Sequence, residues 1–374
     1  MAKYDVLIIG SGLGGLECAY ILSKEGYSVC LLEKNRQLGG NLQIFVRDRV
    51  IFDTGVHYIG GLDKGQNLNQ FFTYFGLMDK LKLKRMDANG FDRITFDNDP
   101  KEYRHAMGYE NFMENLLQEF PKEKEGLKKY CNKLKEVCED FPVYRLRAQS
   151  FNDLDLNYLD IGAKSFIESC IDDPKLQNVL AGSNPLYAGY PDRTPLYMHA
   201  LVVNTYIESA WKCVDGGAQI ARLLAKEIKK NGGEIFNYTE VQRLIVKDKK
   251  VTAVETTDGR RIEADNFISN IHPAQTMNMI EQGQIRKAYR NRLTSLDNSI
   301  SVFTLHLVFK PNTFKYLNYN YYHYRDQDVW RSIYYKKENW PDGYVIFVPA
   351  HSKSDEYADS MNIMAYMRFS EVQQ

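Results

Sequence analysis

Long apolar runs are missing from this sequence, and so is any bias of charge. No stretch approaches the roughly 18 consecutive apolar residues that span a bilayer, so no transmembrane helix is expected. The N-terminus lacks the basic start, apolar stretch and small-residue cleavage site of a secretory signal. Lys+Arg and Asp+Glu both total 48, a formal net charge of zero. That balance offers no broad basic face to a phosphate backbone, and no nucleic-acid partner is expected. Cysteine is sparse and scattered, at Cys18, Cys30, Cys131, Cys138, Cys170 and Cys213. No Cys-x-x-Cys pair occurs, and the spacing fits neither a zinc site nor a disulfide framework. Reduced thiols in a cytoplasmic, metal-free protein are the plain reading. Also absent are a Ser–His–Asp spacing and a catalytic carboxylate pair, so the hard chemistry is expected to belong to a cofactor.

What is present starts at once. "DVLIIGSGLGGLECAYILSKEGYSVCLLEKNRQLGG" reads as a buried strand over 4–9, a helix over 13–25 and a second parallel strand in "YSVCLLE". Gly10-x-Gly12-x-x-Gly15 falls at the strand-to-helix turn, the context that gives such a motif meaning. Gly10 allows the tight turn, Gly12 lets a pyrophosphate approach the backbone, and Gly15 lets the helix pack close to the sheet. The helix N-terminus then turns free N–H groups and a positive dipole end toward the phosphates. Glu33 closes the second strand, where a carboxylate accepts ribose hydroxyls and repels a 2′-phosphate. This argues against NADP. Gly39-Gly40 follows, where an NAD domain would proceed into another helix. A diglycine suits a loop folding back over the pyrophosphate, with Arg36 near enough to add charge. "VIFDTGVHYIGG" is then a strand ending in Asp53, Gly55, His57 and a further diglycine. Together these favour FAD over NAD; the bland alternative is a pair of ordinary turns.

At 374 residues the chain has room for two cores. Residues 66–76 look helical, "LKLKRMD" and "FDRITFD" look like strands, and 108–139 reads as a long charged helical region broken at Pro121. Further helical segments run to about residue 211. Gly216-Gly217 starts a helix with Ile220, Leu223, Leu224 and Ile228 on one face, and Gly232-Gly233 ends it. A strand "EIFNY", a meander of three short strands and "NFISNI" follow, returning the chain to the first sheet. From about residue 285 a helix precedes long strands in "SISVFTLHLVF", the Tyr-rich stretch, "GYVIFVPA" and "MNIMAYM". The fold expected is α/β: a two-dinucleotide-binding, Rossmann-like FAD domain (1–90 and 212–284) with an inserted α+β substrate or cap domain (91–211 and 285–374). The second sheet would floor a substrate pocket, although alternating aromatics are more often packing than ligand contact.

The N-terminal block resembles FAD enzymes of the phytoene desaturase and carotenoid isomerase group. "FDTGVHYIGG" and "MHALVVNTYIESAWKCVDGG" narrow the resemblance to the all-trans-retinol 13,14-reductase (retinol saturase) family. "NYNYYHYRDQD" and "VPAHSKSDEYADSMNIM" match that family in order. The resemblance implies an FAD-dependent oxidoreductase, with NAD(P)H a candidate external reductant, acting on double bonds of a polyene or similar lipid. It maps Gly10, Gly12, Gly14, Gly15, Glu33, Gly39 and Gly40 onto cofactor contacts. Lys34 and Arg36 complete that set; Val241, in the strand after the second diglycine, is a candidate to offer its main chain to the adenine, with plain scaffold the alternative. His57 and Tyr58 are the candidate catalytic residues; His57 is equally a proton donor, a hydrogen-bonding partner of the flavin or a structural histidine. His199 reads as a packed core residue and His272 as a loop cap.

The sequence departs from the family twice. A Pro–basic–Gly–Gly turn is replaced by Val214-Asp215-Gly216-Gly217, and the sequence stops at "MRFSEVQQ", before the family's glycine-rich, flavin-closing C-terminal segment. The expected reaction is hydride delivery to a conjugated alkene, which needs conjugation to spread the resulting charge. Carotenoid desaturation or cis–trans isomerisation, and a non-catalytic FAD- or lipid-binding role, are the alternatives. A hydrophobic substrate implies peripheral contact with a membrane, yet no basic amphipathic helix stands out.

Overall fold

The computed structural model describes residues 3–146, 157–353 and 355–373. Strands are numbered β1 to β17 along the chain. The fold comprises two compact units: Met1–Val56, Phe72–Lys82 and Gly216–Asn298, and then His57–Phe71, Leu83–Asp215 and Ser299–Gln374.

In the first unit β1 (Tyr4–Ile9), β2 (Val29–Leu32), β10 (Glu234–Phe236), β11 (Val241–Lys247), β12 (Lys250–Thr256) and β13 (Arg261–Ser269) form one sheet, ordered β10-β2-β1-β13-β12-β11. β1 pairs in parallel with both β2 and β13, and its residues Val6 to Ile9 are buried. That double burial is why the strand reads as a continuous apolar run. Leu7, Ile9, Cys30 and Leu32 meet Leu244, Val254 and Ile262 in one apolar cluster. The helix Leu13–Lys24 follows β1 and packs with the return helix Ala218–Lys230. Ile220, Leu224 and Ile228, four residues apart, form the buried stripe of that return helix. Its C-terminal carbonyls are closed by Gly232 and Gly233, whose N–H groups donate to Lys229 and Ile228. β3 (Ile44–Arg47) and β4 (Val50–Asp53) make a separate hairpin, turned by Asp48 and Arg49, both at positive φ.

The meander differs from expectation at its last member. The third short strand and "NFIS" are one strand, β13. Its N-terminal half pairs antiparallel with β12 through Arg261 to Glu263, and from Ala264 onward it pairs in parallel with β1. Neighbours of opposite direction on its two sides, and not a chain break, change the side-chain pattern partway along.

In the second unit β14 (Ser301–Val308), β17 (Ser360–Met367), β16 (Gly343–Phe347), β15 (Asn320–Tyr324), β7 (Asp92–Phe96) and β8 (Asp99–His105) form a sheet in that order. Only β15 and β7 pair in parallel. A three-stranded sheet joins β5 (Ile59–Gly60), β9 (Ala210–Cys213) and β6 (Leu83–Arg85). Because β5 and β6 pair with β9, residues 57–71, 83–90 and 212–215 lie in this unit, whereas the sequence grouped them with the first. Residues 285–298 lie in the first unit, where the helix Lys287–Thr294 packs on Pro273–Asn278. The charged helical region is Tyr109–Glu119 and Lys124–Asp140, broken at Pro121 as expected. Its buried Phe112, Leu127, Tyr130 and Leu134 share a core with Tyr322, Tyr324 and Phe347, so these aromatics pack. Residues 147–156 of the expected helical region lie outside the described residues.

His199 is fully buried, bonded at Nε2 to the Tyr130 hydroxyl and at Nδ1 to the Tyr187 hydroxyl, both at 2.8 Å. Burial lowers its pKa to about 3, so it is a neutral, satisfied core residue. His272 caps Pro273–Asn278, accepting from Ala274 N–H. Tyr130→Phe leaves the buried His199 nitrogen without a partner, and denaturant unfolding should show a loss of about 1–3 kcal/mol.

Candidate functional site

In the first unit a cleft of about 230 Å³ opens where β1, β2 and β13 end. Carboxyl ends of parallel strands are where open α/β sheets take ligands. Gly10, Gly12, Glu33, Lys34, Gly40 and Val241 all line it. Glu33 is 7% exposed, and its carboxylate is held from two sides. The Ser11 N–H and hydroxyl donate to Oε2 at 3.0 and 2.6 Å, and the Asn35 N–H donates to Oε1 at 2.8 Å. A carboxylate so fixed still has lone pairs to accept ribose hydroxyls. Thr239 N–H donates to the Glu33 carbonyl at 2.8 Å, which ties the strand-leading loop of Val241 to the acid.

The remaining glycines act one layer behind. A Cβ on Gly15 would stand 2.1 Å from the Gly10 carbonyl oxygen, an impossible approach. A Cβ on Gly14 would meet Asn270 Oδ1 at 3.1 Å. Gly39, at φ +108°, donates its N–H to the Ser11 carbonyl at 2.9 Å, so the diglycine loop does fold back onto the glycine turn. Arg36 is not gathered with these residues. It lines a different cavity, beside the return helix. Asp53, expected at a cofactor-binding loop, accepts the Gly217 N–H at 2.7 Å and so caps the return helix. Asp215, the acidic departure, accepts the Ser352 N–H at 3.0 Å.

Ser11, Thr239, Asn270, Gln275 and Met279 also line the cleft or its acid and were not singled out from sequence. Asn270 carried a signal: it directly follows "NFIS", at the carboxyl end of the strand beside β1. The cleft suits the nucleoside end of an adenine dinucleotide: a backbone turn, a helix N-terminus and a buried acid.

The second unit holds His57 and Tyr58 in a buried polar cluster. The His57 ring stacks on Phe347, 4.5 Å between centroids and 13° between planes. Its Nε2 is buried and has no hydrogen-bond partner among the described residues. Burial, with some repulsion from His306, lowers its pKa to about 4, so the ring is neutral at pH 7. The Tyr58 hydroxyl donates to Asp92 Oδ2 at 2.8 Å and lies 2.7 Å from the Tyr322 hydroxyl. Asn320 donates to Asp92 Oδ1 at 2.9 Å. Burial raises the Asp92 pKa to about 7, opposed by these bonds and by Lys212. Lys212, 1% exposed, donates to the carbonyls of Leu317 and Val348, and burial lowers its pKa to about 7. Sequence reading missed Asp92, Lys212 and Tyr322, since charged residues in short strands read as solvent-facing. Among the described residues there is no metal-holding cluster, and none of the six cysteines is in a disulfide. No helix there is long and apolar enough to cross a membrane.

Fold and cleft define a protein with one Rossmann-like unit and a second α+β unit. Residues 8–75 match the NAD(P)-binding Rossmann-like domain family. An oxidoreductase from Methanosarcina mazei shares the fold at TM-score 0.67, with 17% identity over 98% of this chain and 80% of that one. In sequence the chain is similar to all-trans-retinol 13,14-reductase of Rattus norvegicus, 27% identical over 94% of this chain and 63% of the relative. It is also similar to the chloroplastic prolycopene isomerase of Daucus carota, 26% identical over 88% of this chain and 56% of the relative. These curated relatives are the retinol saturase and carotenoid group to which the motifs pointed. The chain spans less than two thirds of their length.

Gly15→Ala sets a methyl against backbone that cannot step aside, so unfolding experiments should show a loss of about 2 kcal/mol or more, with weakened nucleotide binding. A second expectation concerns pH. The folded Asp92 keeps its proton up to about pH 7, while the unfolded group, with the ordinary carboxylate value of 3.8, has lost it. Stability attributable to Asp92 is therefore complete below pH 4 and falls as pH rises toward 7. His57, His105 and His199, with lowered values, act in the opposite sense. The difference between wild type and Asp92→Asn isolates the Asp92 term. In pH-dependent denaturation it should change across this window, in favour of the variant at higher pH, by at most about 4 kcal/mol.

Proposed function

We propose that this protein is an FAD-dependent oxidoreductase that saturates a C=C bond of a conjugated, retinoid-like polyene. The observation that carries the reading is the cleft uniting Glu33 with Gly10, Gly12, Gly40 and Val241. Glu33 favours a free ribose over a 2′-phosphate, and the Gly39 loop folded onto Ser11 supports a dinucleotide held extended, as FAD is. The similarity to all-trans-retinol 13,14-reductase supplies the substrate class.

The chemistry that bound FAD would supply, once reduced by an external donor such as NAD(P)H, is a hydride for one carbon of the conjugated system. The chain's share begins with the adenine end. Glu33 and Lys34 would hold the ribose side, the Gly10–Gly15 turn and the helix N-terminus the phosphates, and the Val241 main chain the base. The neighbouring carbon needs a proton. Tyr58 is the proposed source: its hydroxyl is bonded to Asp92 and to Tyr322, so a lost proton is replaced along hydrogen bonds already in place. His57, held neutral, serves as a hydrogen-bonding group and not as a cationic acid. A lipophilic substrate is the partner this chemistry requires.

A second reading, isomerisation of a carotenoid with the same cofactor, is favoured by the similarity to prolycopene isomerase over 88% of the chain. Product mass separates the two, because saturation adds two hydrogens and isomerisation adds none.

The purified chain should take up FAD with a bound-flavin visible spectrum. Glu33→Ala should weaken that uptake about 10- to 100-fold, the worth of hydrogen bonds to a charged acceptor. Anaerobic reduction followed by a conjugated polyene should restore the oxidised spectrum and yield a product two hydrogens heavier. Failure to take up any flavin overturns the reading.

A further inference from the structure

The cavity that holds Arg36 has a volume of about 670 Å³. One wall is a single face of the return helix. Ala218, Ala221 and Ala225 fall three and four residues apart and form its floor, while Arg222, Lys226 and Lys229 continue the same face outward and are exposed. The apolar stripe of Ile220, Leu224 and Ile228 is spent on the core, so the basic character of this helix was hidden in the sequence. The opposite wall is the hairpin strand β3, through Ile44, Phe45 and Val46, with Val46 57% exposed.

The charge of this groove is of one sign. Arg36, Arg222, Lys226 and Lys229 line it, no Asp or Glu does, and none of the four has a carboxylate within ion-pair distance among the described residues. In a chain with equal numbers of acids and bases that segregation is local. Unpaired cations next to an exposed apolar strand match the interface of an anionic bilayer, where headgroups meet the cations and the acyl boundary meets the apolar edge. Surface anchoring needs two such signals together. A small soluble anion would leave the apolar edge unused.

We infer that the groove between Ala218–Lys230 and the β3–β4 hairpin docks this protein on membranes rich in anionic phospholipid. The inference rests on the groove and not on the flavin reading. The full chain should float with vesicles of phosphatidylcholine and phosphatidylglycerol, not with phosphatidylcholine alone, and added salt should release it. Arg222→Glu, Lys226→Glu and Lys229→Glu combined should reduce flotation about tenfold or more. The matching Gln variant should fall in between, and Val46→Asp should weaken binding with all cations intact. Unfolding curves confirm that the variants are folded, and flavin uptake measured in parallel separates loss of docking from loss of cofactor. No flotation with anionic vesicles, or equal flotation of the charge-reversed variant, overturns the inference. So does binding of free fatty acid or an acidic protein without vesicle binding.

Discussion

The carbonyl oxygen of Gly10 occupies space that a side chain on Gly15 would need, 2.1 Å from its Cβ position. The first helix can settle on the strand-exit turn only because residue 15 has no side chain, and the cleft is assembled from that settlement. With the helix down, its N-terminal N–H groups face the space beyond β1. Ser11 is carried to within 2.6 Å of Glu33, and the Gly39 loop closes on the Ser11 carbonyl. The loop before β11 then closes on Glu33 through Thr239. Each contact depends on the one before, and most of the donors are backbone groups. A site built this way tolerates little motion, because its walls are also its hydrogen-bond ladder.

The second unit handles polarity by the opposite method. Asp92 and Lys212 are each 1% exposed, yet among the described residues neither is matched by a direct ion pair. Neutral groups bond them instead: Tyr58 and Asn320 for the carboxylate, two carbonyls for the amine. Neutral partners offset desolvation only in part, so both pKa values drift toward 7 from opposite sides. A hydrophobic pair of similar volume would be at least as stable. Two titratable groups kept in this core support the proton-donating role proposed above for Tyr58.

How much of this was legible in the sequence depends on how local each determinant is. Gly10, Gly12, Gly15 and Glu33 lie within one strand–helix–strand unit, and their spacing specifies their geometry directly. The β7–β15 pairing joins Asp92 to Asn320 across 228 residues; no periodicity encodes such a partner, so the polar cluster was invisible. β13 escaped because it has an antiparallel neighbour on one side and a parallel one on the other, and it was divided where the pattern changed. Arg36 was close in sequence to the diglycine but on the wrong side of its loop. Proximity along a chain says little about which face of a loop a side chain takes.

That last point explains how one short segment serves two surfaces. Between Glu33 and Val46 the backbone turns the acid and Gly40 into the cleft, and turns Arg36 and Ile44 to Val46 outward to the groove. The division is possible because a pyrophosphate on this turn, as proposed above, would be held by backbone N–H groups and a helix dipole. Such a site needs little side-chain charge. A cation committed to the phosphates would have to point inward, and it would compete with Ser11 for Glu33. Leaving the phosphates to the backbone would keep the acid free for the ribose, and it lets Arg36 face the outer groove with Arg222, Lys226 and Lys229.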